Sequence, residues 1–184
     1  MKKVYLIRHA LPDFPGGSRM CIGTTDIPLG DAGMVQAREM ASKLPAVTAV
    51  FSSPLIRAVQ TAQAIGLPVT VLDGLRELDA GEWDGLTFEE IRVRYPALYA
   101  ARAHDQTLPL PGAEDHAAGL ARFQNAMALA ASQSPGDLAV VAHGGIIALF
   151  LQQITGIRYK PDYTEVLTLH WKDGIFYTKD SILP

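Results

Sequence analysis

Residues 4–10 read VYLIRHA: the apolar run Val4, Tyr5, Leu6 and Ile7 stops abruptly at Arg8 and His9. A short apolar run with β-branched and aromatic members is the pattern of a strand covered on both faces, and the switch to charge marks where it leaves the sheet. Residues 138–145, LAVVAHGG, repeat the theme, with strand residues 138–142 followed at once by His143. Strands buried on both faces belong in parallel sheets packed between two layers of helices.

The intervening chain supplies those helices. Asp31 precedes a helical stretch to Leu44 in which Met34, Ala37, Met40, Ala41 and Leu44 share one face, and Pro45 ends it. Residues 49–51 form a second strand, followed by Ser53 as helix N-cap, Pro54 at the first helical position and an amphipathic run to Ile65 stopped by Gly66. Residues 69–72 make a third strand. Thr87 and Glu90 form a capping box for a helix that Pro96 closes or kinks. A longer helix covers about 114–133, an apolar helix covers 146–154, and strands 165–171 and 175–179 make a hairpin across Lys172-Asp173-Gly174. The alternation predicts an α/β fold, a three-layer α/β/α sandwich with a mainly parallel central sheet, in one domain over residues 1–184. In such folds ligands sit beyond the carboxyl ends of the strands.

Composition narrows the partner. Sixteen Lys and Arg against nineteen Asp and Glu give a formal charge of −3, which provides no broad basic field for nucleic acid or an anionic membrane. Cys21 is the single cysteine, so an internal disulfide and a cysteine-rich zinc site are excluded, and a reducing compartment fits. The apolar run before Arg8 is too short for a signal-peptide core or a bilayer span, which reads as a cytoplasmic chain. Oligomeric state is not legible in the sequence.

Three polar clusters fall at strand ends: Arg8-His9, Arg57 in the first turn of the helix after the second strand, and His143. A phosphoryl group carries charge on three oxygens, and an arginine fork pairs with two at once, which suits Arg8 and Arg57. A helix amino end adds partial positive charge beside Arg57. An imidazole that attacks phosphorus must be unprotonated, so the other nitrogen of His9 needs an acceptor such as a backbone carbonyl. Gly144 and Gly145 allow close approach of backbone to a ligand and can turn N–H groups toward an oxyanion. A carboxyl to protonate a departing alkoxide comes from the loop 76–85, where spacing leaves Glu77, Asp79, Glu82 and Asp84 equal. Arg76, Arg92, Arg94 and Arg102 flank a helix, where charged residues form a solvated face.

The blocks LIRHA (6–10), CIGTTDIPLGDAG (21–33), SSPLIRAVQTA (52–62), LRELDAGEWDGLT (75–87), LPGAED (110–115) and VVAHGG (140–145) together resemble, in order, those of the phosphoglycerate-mutase-like histidine phosphatases. That resemblance implies that His9 becomes phosphorylated, that Arg8, Arg57 and His143 line the phosphate pocket, and that Glu77 is the acid/base. It implies two in-line displacements through a phosphohistidine on a small phosphorylated metabolite, with no metal and no organic cofactor. The family holds both mutases and phosphatases. The chain has only about 35 residues between Glu77 and Pro111-Gly112, too few for the insertion that shields phosphohistidine in mutases, which favours a phosphatase. Its compact length and the CIGTTDIPLGDAG block look most like the α-ribazole phosphatases.

Two positions depart from the family pattern: Ala10 replaces a usual glycine, and Pro15 stands roughly where an asparagine helps hold phosphate, with Ser18 or Arg19 near enough in sequence to take over. The alternatives are a phosphoglycerate-type phosphomutase, a non-catalytic phosphate-ligand-binding relative, and a metal phosphohydrolase using His104-Asp105 and Asp115-His116, whose spacing lacks a helical i, i+4 pair.

Overall fold

The computed structural model describes residues 1–178. Among them, strands β1 (Lys2–Arg8), β2 (Ala49–Ser52), β3 (Val69–Val71), β4 (Leu138–Ala142), β5 (Val166–Lys172) and β6 (Ile175–Tyr177) form one sheet in the order β3-β2-β4-β1-β5-β6. The first four strands run parallel, while β5 is antiparallel to β1 and β6 is antiparallel to β5. The sheet is therefore mixed but mostly parallel, in an α/β sandwich.

Period-two alternation sorts each parallel strand into two faces. Leu6, Phe51, Val140 and Leu138 meet Phe123 and Met127 of α5 (His116–Gln133) and Ile147 and Phe150 of α6 (Gly144–Thr155) on one face. Ile7, Val50, Ala139 and Val141 meet Met40 of α1 (Asp31–Lys43) and Ala58 and Ala62 of α2 (Ile56–Gln63) on the other. A smaller cluster gathers Trp83 and Ala80 with Ile91 of α3 (Phe88–Arg94) and Leu98 and Tyr99 of α4 (Pro96–His104). No helix among the described residues is long and apolar enough to cross a membrane.

Strand register sets up the chemistry. Ile7 pairs with Val141 and Arg8 with Ala142, while Ser52 also pairs with Val141. The carboxyl ends of β1, β2 and β4 are thus level, and His9, Ser53 and His143 leave the sheet side by side. Hydrogen bonds from His9 N to Ala142 O (3.0 Å) and from Ser53 N to Val141 O (3.0 Å) carry the ladder one residue further.

Several local expectations are corrected. Helix α2 starts at Ile56, not Pro54, because Asp26 Oδ1 accepts from Ile56 N at 2.7 Å and Leu55 is still extended at ψ 133°. Ser53 is therefore not the N-cap, and its side chain faces the strand ends. The Thr87–Glu90 capping box is present. Pro96 closes α3 but also opens α4, since proline is compatible with a first helical turn. Helix α5 begins at His116 behind Asp115, whose carboxylate accepts from Ala118 N at 3.0 Å. The hairpin turns on Asp173 (φ 52°) and Gly174 (φ 83°), and Lys179, expected in its second strand, lies outside the described residues.

Candidate active site

His9 is 3% exposed and its Nδ1 lies 2.7 Å from Ala10 O. A carbonyl only accepts, so Nδ1 carries the proton in the neutral ring and Nε2 keeps its lone pair. Burial, then the charges of Arg57, Arg8 and Lys160, hold the His9 imidazole well below its ordinary range despite the carbonyl's opposing pull. The neutral, nucleophilic form is the one this environment selects. Ala10 fits because its methyl packs with Leu29 and Ala37, while its N–H donates to Thr61 Oγ1 at 3.0 Å.

His143 is fully buried with its ring centroid 5.1 Å from that of His9. Its Nε2 is 2.7 Å from Ser53 Oγ, and its Nδ1 has no hydrogen-bond partner among the described residues. Ser53 Oγ also accepts from Leu55 N at 3.3 Å. With the Ser53 hydroxyl donating to Nε2, which then accepts, the neutral His143 ring presents an Nδ1–H donor. Burial and the charges of Arg57, His9 and Arg8 keep that ring well below its usual pKa.

Arg57 is fully buried and has no carboxylate within ion-pair distance among the described residues. Its terminal nitrogens donate to Thr25 O (2.8 Å) and Gly23 O (3.0 Å), leaving Nε unpartnered. Asp84 holds that loop, accepting from Gly23 N, Thr24 N and Thr25 N at 2.8, 2.8 and 3.0 Å. Arg8 stacks 3.9 Å from the Tyr163 ring and donates through NH1 to Pro161 O at 2.8 Å, and its Nε too is buried without a partner. Burying cations costs several kcal/mol each unless an opposite charge meets them. Two guanidinium Nε–H groups and one imidazole N–H, buried without partners among the described residues, are donors of the kind a phosphoryl dianion accepts from; of the three residues Arg8 lines the cavity, while Arg57 and His143 do not.

The four carboxylates that spacing left equal are separated by their contacts. Glu77 faces the amino end of α6, where Oε2 accepts from Gly145 N (2.8 Å) and Oε1 from Ile146 N (2.8 Å) and Leu78 N (2.9 Å). Asp79 accepts from Gly81 N, Glu82 accepts from Tyr95 Oη, and Asp84 anchors the Gly23–Thr25 backbone. This corrects the reading of the two glycines: the Gly145 N–H meets Glu77 rather than an oxyanion. A Cβ on Gly145 would come 2.9 Å from Glu77 Oε1, and one on Gly144 would come 2.8 Å from Lys160 Cε and 3.1 Å from Arg8 Nε. The glycines admit neighbouring protein groups.

His9, Arg8 and Glu77 line a cavity of about 660 Å³ whose walls also carry Phe14 and Arg19 from the first loop and Arg102 from α4. Pro15 is exposed and outside the lining. Lys160 and Tyr163 were not singled out in the sequence, since neither stands in a recognisable block. Ser53 was read for the wrong task. Among the described residues no group of three or more His, Cys, Asp or Glu is placed to hold a metal ion, and His104, Asp105, Asp115 and His116 do not assemble into one.

A family model described as "Histidine phosphatase superfamily (branch 1)" matches residues 4–178. The phosphatase PhoE of Bacillus subtilis is 32% identical over 164 residues, covering 85% of this chain and 79% of that protein. A mycobacterial glucosyl-3-phosphoglycerate phosphatase in complex with VO3 superposes with a TM-score of 0.82 at 28% identity, covering 92% of this chain and 93% of the other. The α-ribazole phosphatase from Shigella flexneri shares the fold at 21% identity, with a TM-score of 0.79 and 96% and 94% of the two chains covered. The chain belongs to branch 1 of the histidine phosphatase superfamily and is a phosphoric monoester hydrolase.

Proposed function

We propose that His9 Nε2 takes the phosphoryl group of a small phosphorylated metabolite and that the resulting phosphohistidine is hydrolysed by water. The observation that carries this reading is the pinned His9 ring, with Nδ1 on the Ala10 carbonyl, the His143 ring 5.1 Å away and the charges of Arg57 and Arg8 acting on it. In the first step the N–P bond forms as the P–O bond to the alcohol breaks, and the Glu77 carboxyl gives its proton to the leaving oxygen. In the second, Glu77 as carboxylate takes a proton from water while the water oxygen displaces His9. Arg8, Arg57 and the His143 Nδ1–H bind the equatorial oxygens in both transition states.

Lys160 supplies a further charge near His9. Its Cε lies against Gly144 beside Arg8, and its ammonium acts electrostatically on His9 and Glu77. Arg19, the other cation of that wall, lines the same cavity.

The substrate proposed from the 21–33 block is α-ribazole 5′-phosphate. The glucosyl-3-phosphoglycerate phosphatase neighbour supports a second class, a phosphorylated sugar acid. Hydrolysis of para-nitrophenyl phosphate in excess chelator tests the reaction itself: the wild-type protein is expected to turn it over, and His9→Ala to lose about 10⁴-fold or more. Equal rates in the two proteins would remove His9 as nucleophile, and loss of wild-type activity on chelation would point to a metal.

A further inference from the structure

The cavity has a second group of basic side chains. Arg102 comes from the last turn of α4, His116 from the first turn of α5, and Arg158 from the segment after α6, and all three line the cavity that holds His9. They reach it from three separate elements. Arg102 lies 5.6 Å from the Trp83 ring, and its NH1 is buried without a hydrogen-bond partner among the described residues. Arg158 has one long contact, 3.4 Å to Gln152 Oε1.

The nearby carboxylates are occupied. Asp105 Oδ1 accepts from Thr107 N (2.8 Å) and Thr107 Oγ1 (2.5 Å), Asp115 caps α5, and Glu114 is tied to Arg122 at 2.6 Å. Neither Arg102 nor Arg158 forms an ion pair among the described residues. Like charges that share a wall repel: burial first, and then the charge of Arg158, lower the proton affinity of Arg102 against the pull of Cys21 and Asp105, and burial followed by Arg158 and Arg102 lowers that of His116 against Asp115 and Glu114. Partly buried guanidinium groups with open donors and no carboxylate in ion-pair contact are the arrangement that recognises an anion.

We propose that Arg102, Arg158 and His116 form a subsite for a second anionic group, so that the preferred substrates are phosphomonoesters carrying a carboxylate or a second phosphate at the end remote from His9. The proposal rests on the phosphatase reading above for which end is cleaved. It selects against a substrate whose remote end is uncharged, α-ribazole 5′-phosphate included, and so favours the phosphorylated sugar acid of the two classes named above.

The test compares three ligands that share a 6-phosphate: glucose 6-phosphate, with a neutral remote end, 6-phosphogluconate, with a carboxylate, and fructose 1,6-bisphosphate, with a phosphate. Binding is measured by calorimetry on His9→Ala and on His9→Ala/Arg102→Gln, so the comparison does not depend on turnover. At least one of the two doubly charged ligands is expected to bind about tenfold or more tightly than glucose 6-phosphate, and the Arg102 substitution to remove that advantage. Which of the two gains distinguishes carboxylate from phosphate. Equal affinities for all three, or an Arg102→Gln effect of the same size on all three, would overturn the subsite. Failure of the wild-type protein to hydrolyse the aryl phosphate would count against the His9 reaction and leave the binding result intact.

Discussion

The basic side chains around His9 and those of the proposed second-anion subsite are held in different ways. Around His9, Arg57 is fully buried with two nitrogens fixed on backbone carbonyls, and Arg8 is clamped between Tyr163 and Pro161 O. The groups stand on strand ends whose register is set by the core. In the subsite proposed for the second anionic group, Arg102, Arg158 and His116 are partly exposed and stand on helix ends and a connecting segment. The first arrangement holds donors in place before the substrate arrives, which is what lowering a barrier requires. The second has fewer fixed contacts and is suited to recognising different remote groups. The group around His9 should therefore respond to small geometric changes, and the proposed subsite mainly to changes of charge.

Beyond His9 itself, the largest effect is expected at Arg57. Arg57→Ala should lower kcat/KM about 10²- to 10³-fold. Arg57→Lys, which keeps the charge, should recover little, because an ammonium cannot hold Gly23 O and Thr25 O while also offering Nε–H. Full rescue by lysine in steady-state kinetics would show that charge alone matters there and would erase the contrast between the two groups.

A smaller effect is expected at Gly145. An added Cβ would press on the Glu77 carboxyl from 2.9 Å, so Gly145→Ala should displace the proton donor and slow turnover by about 10- to 100-fold. The loss should be greater for an alkyl phosphate, whose leaving oxygen needs the proton, than for para-nitrophenyl phosphate. Equal losses on the two substrates would argue that Glu77 does not protonate the leaving group.

The smallest is a pH effect on stability. Unfolded, His9 and His143 take up protons below about pH 6.5. Folded, burial first and the nearby cations second hold both imidazoles neutral. Unfolding therefore takes up protons, so this stabilising contribution is complete above pH 6.5 and is lost as the pH falls toward the depressed folded values, at up to about 1.4 kcal/mol per histidine per pH unit. Denaturant titrations at pH 7.5 and 5.5 should show wild-type protein losing more stability than His9→Gln. Identical losses would contradict the assigned environment of His9.

Most of this architecture was legible because it rests on repeated local patterns. The apolar runs ending at Arg8 and at His143 located β1 and β4, and parallel pairing then brought His9 and His143 together. The Thr87–Glu90 capping box was readable for the same reason. What escaped depends on contacts between distant segments. Ser53 looks like a helix cap until Asp26, far away in sequence, caps that helix instead and releases the serine to His143. Arg102 resembles Arg92 and Arg94 by composition, yet those two pair with Glu89 and Glu90 on an exposed face while Arg102 turns into the cavity. Lys160 and Tyr163 follow α6 in a segment with no periodicity to read.

The central claim is covalent: His9 carries the phosphoryl group during turnover. Wild-type protein and His9→Ala would be mixed with radiolabelled para-nitrophenyl phosphate, quenched in alkali, where phosphohistidine survives, and digested to locate the label. The account predicts an acid-labile label on the peptide containing His9 in the wild-type protein and none in His9→Ala. A label that persists in His9→Ala, or a wild-type protein that turns over substrate without any labelled histidine, would contradict it.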